Sequence, residues 1–364
     1  MKLPVLLLPI FFCIWDSDTL DDELRGLPDA EQIVNGRWFR HGEAYYRQRI
    51  ATLPAQLEKN PRDLQAHDDL AVAHERLGDR DAAIAVMKRK AEALKDTPDP
   101  EHQYRYHANL GTFHAHAGQL EQALVELEKA VTLNPDAHFG RERFQIDLIR
   151  YVLEARKNPE VWTEHDFLTW SGYRVSYSGL TPGSFTGSVG EKEKETTWQK
   201  AYTAVVGMLR FGGLEGAELY RTLGDLFSAH GDLNLAWWCY QYAIEKKHPA
   251  AERIAYAVAG IEEHWDEAGL GDPPTMDTFR AVRKNADQWL ANFHRAEEAA
   301  LARGEHPGDP DVLKQLVEEA DRATPPAPVG QSSWLRLLLM GAGGAALIAA
   351  VVFFLRRRRS RRER

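Results

Sequence analysis

The chain has 364 residues, 44% of them hydrophobic and 27% charged, enough for two or three domains or one extended array of repeats. Its formal charge of −9 combines a tail, Arg356 to Arg364, at +6, two further basic residues (Lys2 and Arg336), and an acidic body, 16–334, at −17. A body that acidic excludes nucleic acid as the expected ligand, and two cysteines, Cys13 and Cys239, imply no disulfide framework.

Met1 to Trp15 carries one positive charge followed by thirteen apolar residues. As a helix this run is about 20 Å long, short of a bilayer core, so 1–15 is expected to be a secretory signal peptide or a short N-terminal anchor. No small-residue cleavage site follows. Cys13 stands where a lipidated terminus would begin, but Phe12 occupies the place where that signal takes a small residue. Arg37 to Arg49 mixes four arginines with Trp38, Phe39, Tyr45 and Tyr46. It reads as a capping helix that lays its aromatics on the first repeat, or as a ligand-gripping patch of guanidinium and aromatic faces. Pro54 is expected to kink or restart that helix.

Tyr104 to Ala137 reads as two short helices joined by a glycine turn. Gly111 and Ala123 leave little side chain between the helix axes, Gly118 can take the left-handed conformation that ends the first helix, and Pro135 stops the second. Forty positions earlier, Leu70, Ala71, His74, Gly78, Ala83 and Met87 repeat the pattern, with Lys90 and Lys95 standing where a small residue and a proline are expected. A third copy holds Tyr220, Leu223, Gly224, Phe227, Gly231, Ala236, Tyr240 and Ala243, with Pro249 one place late. This spacing resembles the tetratricopeptide repeat, whose unit is about 34 residues. The fold class implied is all-α: an α-solenoid of TPR-like helical hairpins, plus one C-terminal transmembrane helix. The domains read as a cap and two repeats in 37–157 (repeats 64–97 and 104–137, then a helix over His138 to Lys157), a loop in 158–193, and further TPR-like helices in 194–321 around a clear repeat at 217–250.

Ser171 to Gly190 is Gly/Ser/Thr-rich and reads as a long loop whose Tyr173, Tyr177 and Phe185 dock either on the solenoid or on a partner. Helix resumes near Glu195. Ala251 to His264, Thr275 to Arg303 and Asp309 to Asp321 read as three more helices. A Pro-rich spacer, 322–334, leads to the membrane segment, 335–355. Leu337 to Leu355 is nineteen residues without a charge, about 28 Å as a helix, which spans a bilayer. The arginines of 356–364 then place the C-terminus in the cytoplasm and the repeats outside it. Gly341, Ala345 and Ala349 form a small-residue stripe suited to pairing two such helices as a homodimer. The GAGG stretch, apolar run and Arg-rich end also look like bacterial sorting tails that a membrane protease removes.

The fourteen histidines raise the question of a metal. His67 and His74, like His107 and His114, are seven residues apart, about 10 Å along a helix and too far for both to bind one ion. They occupy positions where this repeat family keeps large aromatics, so packing imidazoles are expected. No catalytic motif is present and no cofactor is implied. The family resemblance instead implies a partner-binding concave groove lined by the first helix of each repeat. By position this gives Gln65, Asp68, Asp69, Val72 and Glu75, then Arg105, Asn109, Thr112 and His116, then Glu218, Arg221, Thr222 and Asp225. Asn109 offers both a donor and an acceptor to a bound peptide's backbone. With Asp68, Asp69 and Asp225 where other members carry a lysine/arginine carboxylate clamp, the expected protein or peptide partner is basic; a solvated acidic face with no ligand is the alternative. The expected function is a membrane-anchored scaffold that holds a partner protein outside the cytoplasmic membrane. The alternatives are a tail-anchored cytosolic adaptor on an organelle membrane, and an enzyme built on the Arg37 to Arg49 patch and the long loop.

Overall fold

A computed structural model describes residues 14–18, 32, 36–135, 140–176, 194–211, 216–265 and 273–326. Most of them are helical. Helix α1 (Glu43–Lys59) is followed by α2 (Leu64–Arg76) with α3 (Arg80–Asp96), and by α4 (Pro100–His116) with α5 (Leu120–Leu133). Then come α6 (Arg141–Lys157), the single turns α7 (Val161–Glu164) and α8 (Phe167–Trp170), and two strands, β1 (Tyr173–Ser176) and β2 (Lys194–Thr197). Helices α9 (Trp198–Phe211), α10 (Ala217–His230), α11 (Leu233–Glu245), α12 (Ala251–Glu263), α13 (Met276–Ala302) and α14 (Pro310–Ala323) complete the order.

The three hairpins α2/α3, α4/α5 and α10/α11 close in the same way. Gly78, Gly118 and Gly231 have φ of +79°, +77° and +90°, and the residue after each glycine donates its N–H to the carbonyl of His74, His114 or Phe227 at 2.9 Å. This bond satisfies a carbonyl that the helix end leaves unpaired. Asp63, Asp79 and Asp99 cap α2, α3 and α4 by accepting from the N–H three residues on. The close approach is real: a Cβ on Gly111 would lie 2.8 Å from Leu127 Cγ, and one on Gly224 2.4 Å from the Tyr240 ring. Lys90 and Lys95, the two departures in the earlier copy, fall on α3, which runs on through Asp96.

The helical-hairpin architecture holds, with one addition in the Ser171–Gly190 stretch and just after it: β1 and β2 pair in parallel, Tyr173 opposite Lys194 through Ser176 opposite Thr197, so that stretch is not all loop. Asp147 of α6 accepts from Tyr173 Oη (2.8 Å) and from Lys194 Nζ (2.6 Å), and so ties the first residue of each strand to the helical body. The Tyr173 ring stacks on Phe144 at 4.8 Å, so this tyrosine docks on the solenoid. Helix α1 packs on the first repeat through Ile50, Leu53 and Leu57, but the aromatics ahead of it, Trp38 and Phe39, are not on that helix. Residues 36–42 are irregular and cross to α13, where Phe39 meets Phe293, Arg37 bonds Asn285, and Glu297 accepts the Gly42 N–H at 2.7 Å while contacting His41 Nδ1 at 2.5 Å. The start of the array is thereby strapped to its end. Pro54 lies inside α1, which continues through it.

Residues 1–13, Tyr177, Phe185, the helix-pairing stripe, the spanning stretch 337–355 and the basic tail lie outside the described residues. Among the described residues no helix is long and apolar enough to cross a membrane.

Candidate functional site

The first helices of the first two hairpins, α2 and α4, lie side by side, and their inward faces carry most of the residues that positional reasoning assigned to the groove. The groove is filled by the chain's own residues Ile14–Asp18. These include the last two residues of the expected leader, Ile14 and Trp15, which are buried there.

The Asn109 amide holds both backbone groups of Trp15: its Oδ1 accepts from Trp15 N at 2.7 Å and its Nδ2 donates to Trp15 O at 2.9 Å. The Trp15 ring sits edge-on to Tyr104, donates Nε1–H to Tyr104 Oη at 3.2 Å, and lies 5.2 Å beneath the Arg105 guanidinium. Asp69 accepts from Ser17 N (2.9 Å) and Ser17 Oγ (3.0 Å), and Gln65 braces Asp69 while accepting from Arg105. Arg49 of α1 reaches Asp16 at 3.1 Å and Asp18 at 3.0 Å, with Asp69 at 4.0 Å. Tyr45 donates its hydroxyl to Asp18.

Three carboxylates around one buried guanidinium leave the site rich in negative charge. The Asp69 carboxyl is pushed up to about 6 by burial, with Arg49 opposing and Asp16 adding to the rise. Asp18 is also raised, by burial first and Asp16 second. For Arg49, burial alone would lower the pKa, but Asp18 and Asp16 more than offset it and hold the guanidinium charged.

The expected open row of carboxylates is corrected at two of its members. Asp68 is fully buried, 2.5 Å from Lys90 Nζ, and also accepts from Asn109 at 3.1 Å. Lys90, the departure from the small residue of the repeat, is thus the counter-ion of the groove aspartate, and burial pulls its pKa down against the pull of Asp68. Glu75 is buried against His116 at 2.7 Å, with Arg80 at 3.6 Å. Val72 and Thr112 are buried in the packing. The other imidazoles have local partners: His107 meets Glu126, His114 meets Gln119 and His67 meets the Pro61 carbonyl. Among the described residues no three His, Cys, Asp or Glu side chains converge as a metal site.

The third hairpin presents a different surface. Arg221 and Asp225 of α10 line a cleft of about 740 Å³ together with His165, Asp166, Tyr240, Arg253 and Tyr256. Arg221 donates to the Trp162 carbonyl at 2.5 Å and lies 3.6 Å from Asp225, which accepts from Tyr240 Oη at 2.7 Å. Burial first, then Asp166, push the Asp225 carboxyl up to about 7, against the pull of Arg221. Its side chain keeps 28% of its surface exposed, so the carboxyl forms part of the wall. Asp166 caps α8 through Leu168 N and Thr169 N. Glu218 is turned away from the cleft toward the Phe167 N–H and His248, and Thr222 is buried beside it.

Of the residues assigned by position, Asn109, Asp69, Gln65 and Arg105 lie around Ile14–Asp18, and Arg221 and Asp225 line the cleft. Arg49 came from the arginine and aromatic patch, and Trp15 and Asp166 were not among the candidates. Their signals were the acidic run after Trp15 and an aspartate opening a helical turn. No curated protein and no solved structure matches the chain. Residues 104–137, the hairpin α4/α5, match the tetratricopeptide repeat family model, and with the hairpins on either side they make this a TPR-like protein, an architecture of protein–protein interaction scaffolds.

Proposed function

We propose that the protein is a scaffold anchored in the cytoplasmic membrane by 337–355, with its repeat body outside and its basic tail inside, and that it holds a partner protein on the inner faces of its hairpins. The observation that carries the reading is the grip of Asn109 on both backbone groups of Trp15. An amide that pairs a peptide's N–H and C=O reads chain, whatever its side chain, and such bonds supply affinity in peptide recognition.

The cleft of the third hairpin is a surface open to a partner, and a basic segment suits it. Asp225 and Asp166 are desolvated carboxylates, Glu164 adds a third to the lining against Arg221 and Arg253, and Tyr256, 81% exposed, stands on the rim to receive an apolar or cationic contact. Asp68 takes no part, because Lys90 already neutralises it.

A photo-crosslinking residue at Tyr256 in the full chain, in membranes, tests this. A discrete protein adduct is expected, reduced by Asp225→Lys and by raising ionic strength from about 0.05 to about 0.5 M. Loss of every adduct, or an adduct indifferent to both changes, refutes the partner reading. Protease treatment of spheroplasts is expected to digest the body; a body protected until the membrane is opened refutes the topology and favours the cytosolic adaptor.

A further inference from the structure

We propose that the groove between α2 and α4 is a receptor for a short segment with the chemistry of Ile14–Asp18, an apolar residue and a tryptophan followed by carboxylate, hydroxyl and carboxylate. In this structure that segment fills the groove in cis, and a partner that enters it carries the same pattern and displaces it. The inference rests on the scaffold reading for its biological sense and goes beyond it in naming the ligand. It also differs in sign from the cleft of the third hairpin: here the occupant is acidic.

Three features identify Ile14–Asp18 as ligand as well as sequence neighbour. Its backbone is bonded by side chains, Trp15 through Asn109 and Ser17 through Asp69, in a short stretch that is irregular from 14 to 16 and turns helical at Ser17. Its side chains enter separate seats: Ile14 in the core of the first hairpins, Trp15 between Tyr104 and Arg105, Ser17 on Asp69, and Asp16 and Asp18 on Arg49. The contacts are selective, since a lysine in place of Asp16 or Asp18 would set a second cation against a guanidinium that is only 9% exposed. Like charges in the groove favour exchange of the occupant. Asp16 and Asp18 crowd Asp69 around one Arg49, and this repulsion opposes the favourable contacts. A tethered segment competes at an effective concentration of about millimolar, which a free ligand must overcome.

The test uses the full chain in detergent and an amide-capped, fluorophore-bearing peptide of residues 14–18. Trp15→Ala with Asp16→Ala weakens the cis segment, and this variant is expected to bind the peptide about tenfold or more tighter than the unaltered chain. Adding Asn109→Ala should remove that gain, and a peptide with lysine at both aspartate positions should bind at least about tenfold more weakly. If the double variant melts, Ser17→Ala with Asp18→Ala, which touches only polar contacts, is read in the same way. A folded variant that takes no peptide, equal binding of the lysine peptide, or indifference to Asn109→Ala overturns the proposal. A dimer that exchanges this segment and dissociates with excess peptide overturns the cis assignment. The Tyr256 crosslink reads through Arg221 and Asp225, so loss of peptide binding with the crosslink retained sinks this inference alone. Loss of the crosslink with peptide binding retained sinks the partner reading instead.

Discussion

Lys90→Ala restores the small residue that the repeat pattern expects, and it is nonetheless expected to destabilise the first two hairpins. The Lys90 and Asp68 side chains are both fully buried, 2.5 Å apart. Removing one member of such a pair leaves an uncompensated charge in the interior and typically costs about 3–5 kcal/mol. Asp68 would keep one donor, Asn109 at 3.1 Å. The lower end, about 3 kcal/mol, is therefore expected. Lys90→Met with Asp68→Leu removes both charges while keeping apolar volume, and should return stability to within about 1 kcal/mol of the parent or above it. Unfolding of a repeat array departs from two-state behaviour, so the readout is hydrogen exchange of α2 to α5 in the full chain, compared with α10 and α11 as an internal reference. A cost for Lys90→Ala below about 1 kcal/mol, the range of an exposed pair, would refute the reasoning, as would a double variant no better than the single.

Gly224→Ala should cost about 1–3 kcal/mol by hydrogen exchange of α10 and α11, because its Cβ would lie 2.4 Å from a Tyr240 ring held in place by its bond to Asp225. Gly260→Ala, in α12 with nothing within 4 Å of the added carbon, should instead stabilise by about 0.5–1 kcal/mol. Asp225 has a folded pKa of about 7, above its ordinary 3.8, so the fold favours its protonated form. Its contribution to stability is greatest at low pH and is lost as pH rises from about 4 to about 7. Burial drives that rise, Asp166 adds to it and Arg221 opposes it, and Asp225→Asn should flatten this part of the stability–pH curve. For the same reason crosslinking of a basic partner at Tyr256 should fall several-fold from pH 8 to pH 6 as the carboxylate takes up its proton. Glu297→Ala strips the partner from the buried Gly42 N–H, costing about 1–3 kcal/mol. Faster hydrogen exchange in 36–42, with α4 and α5 unchanged, would be the sign that the strap has come loose from α13.

The hairpins were legible in the sequence because they depend on local rules. A glycine that takes positive φ, small residues where two helix axes meet, and a capping aspartate each act within a few residues of their own position. Tyr104 to Ala137 therefore identified the repeat unit, and Gly111, Gly118, Ala123 and Gly231 stand where the spacing put them. Asn109 was likewise legible as a backbone reader, since its amide chemistry does not depend on which chain it meets. What fills the groove depended on residues far apart in sequence. Trp15 lies 94 positions from Asn109, and Asp16 lies 33 from Arg49. Lys90 read as a flaw in the repeat until Asp68 was found beside it, and the parallel pairing of Tyr173 with Lys194 left no alternation strong enough to read. Local propensity sets the helices and their turns. Which charges are buried, and which stretch of chain seals the groove, is decided only when distant segments exclude water from one another, because a carboxylate unremarkable in solution there requires a specific partner.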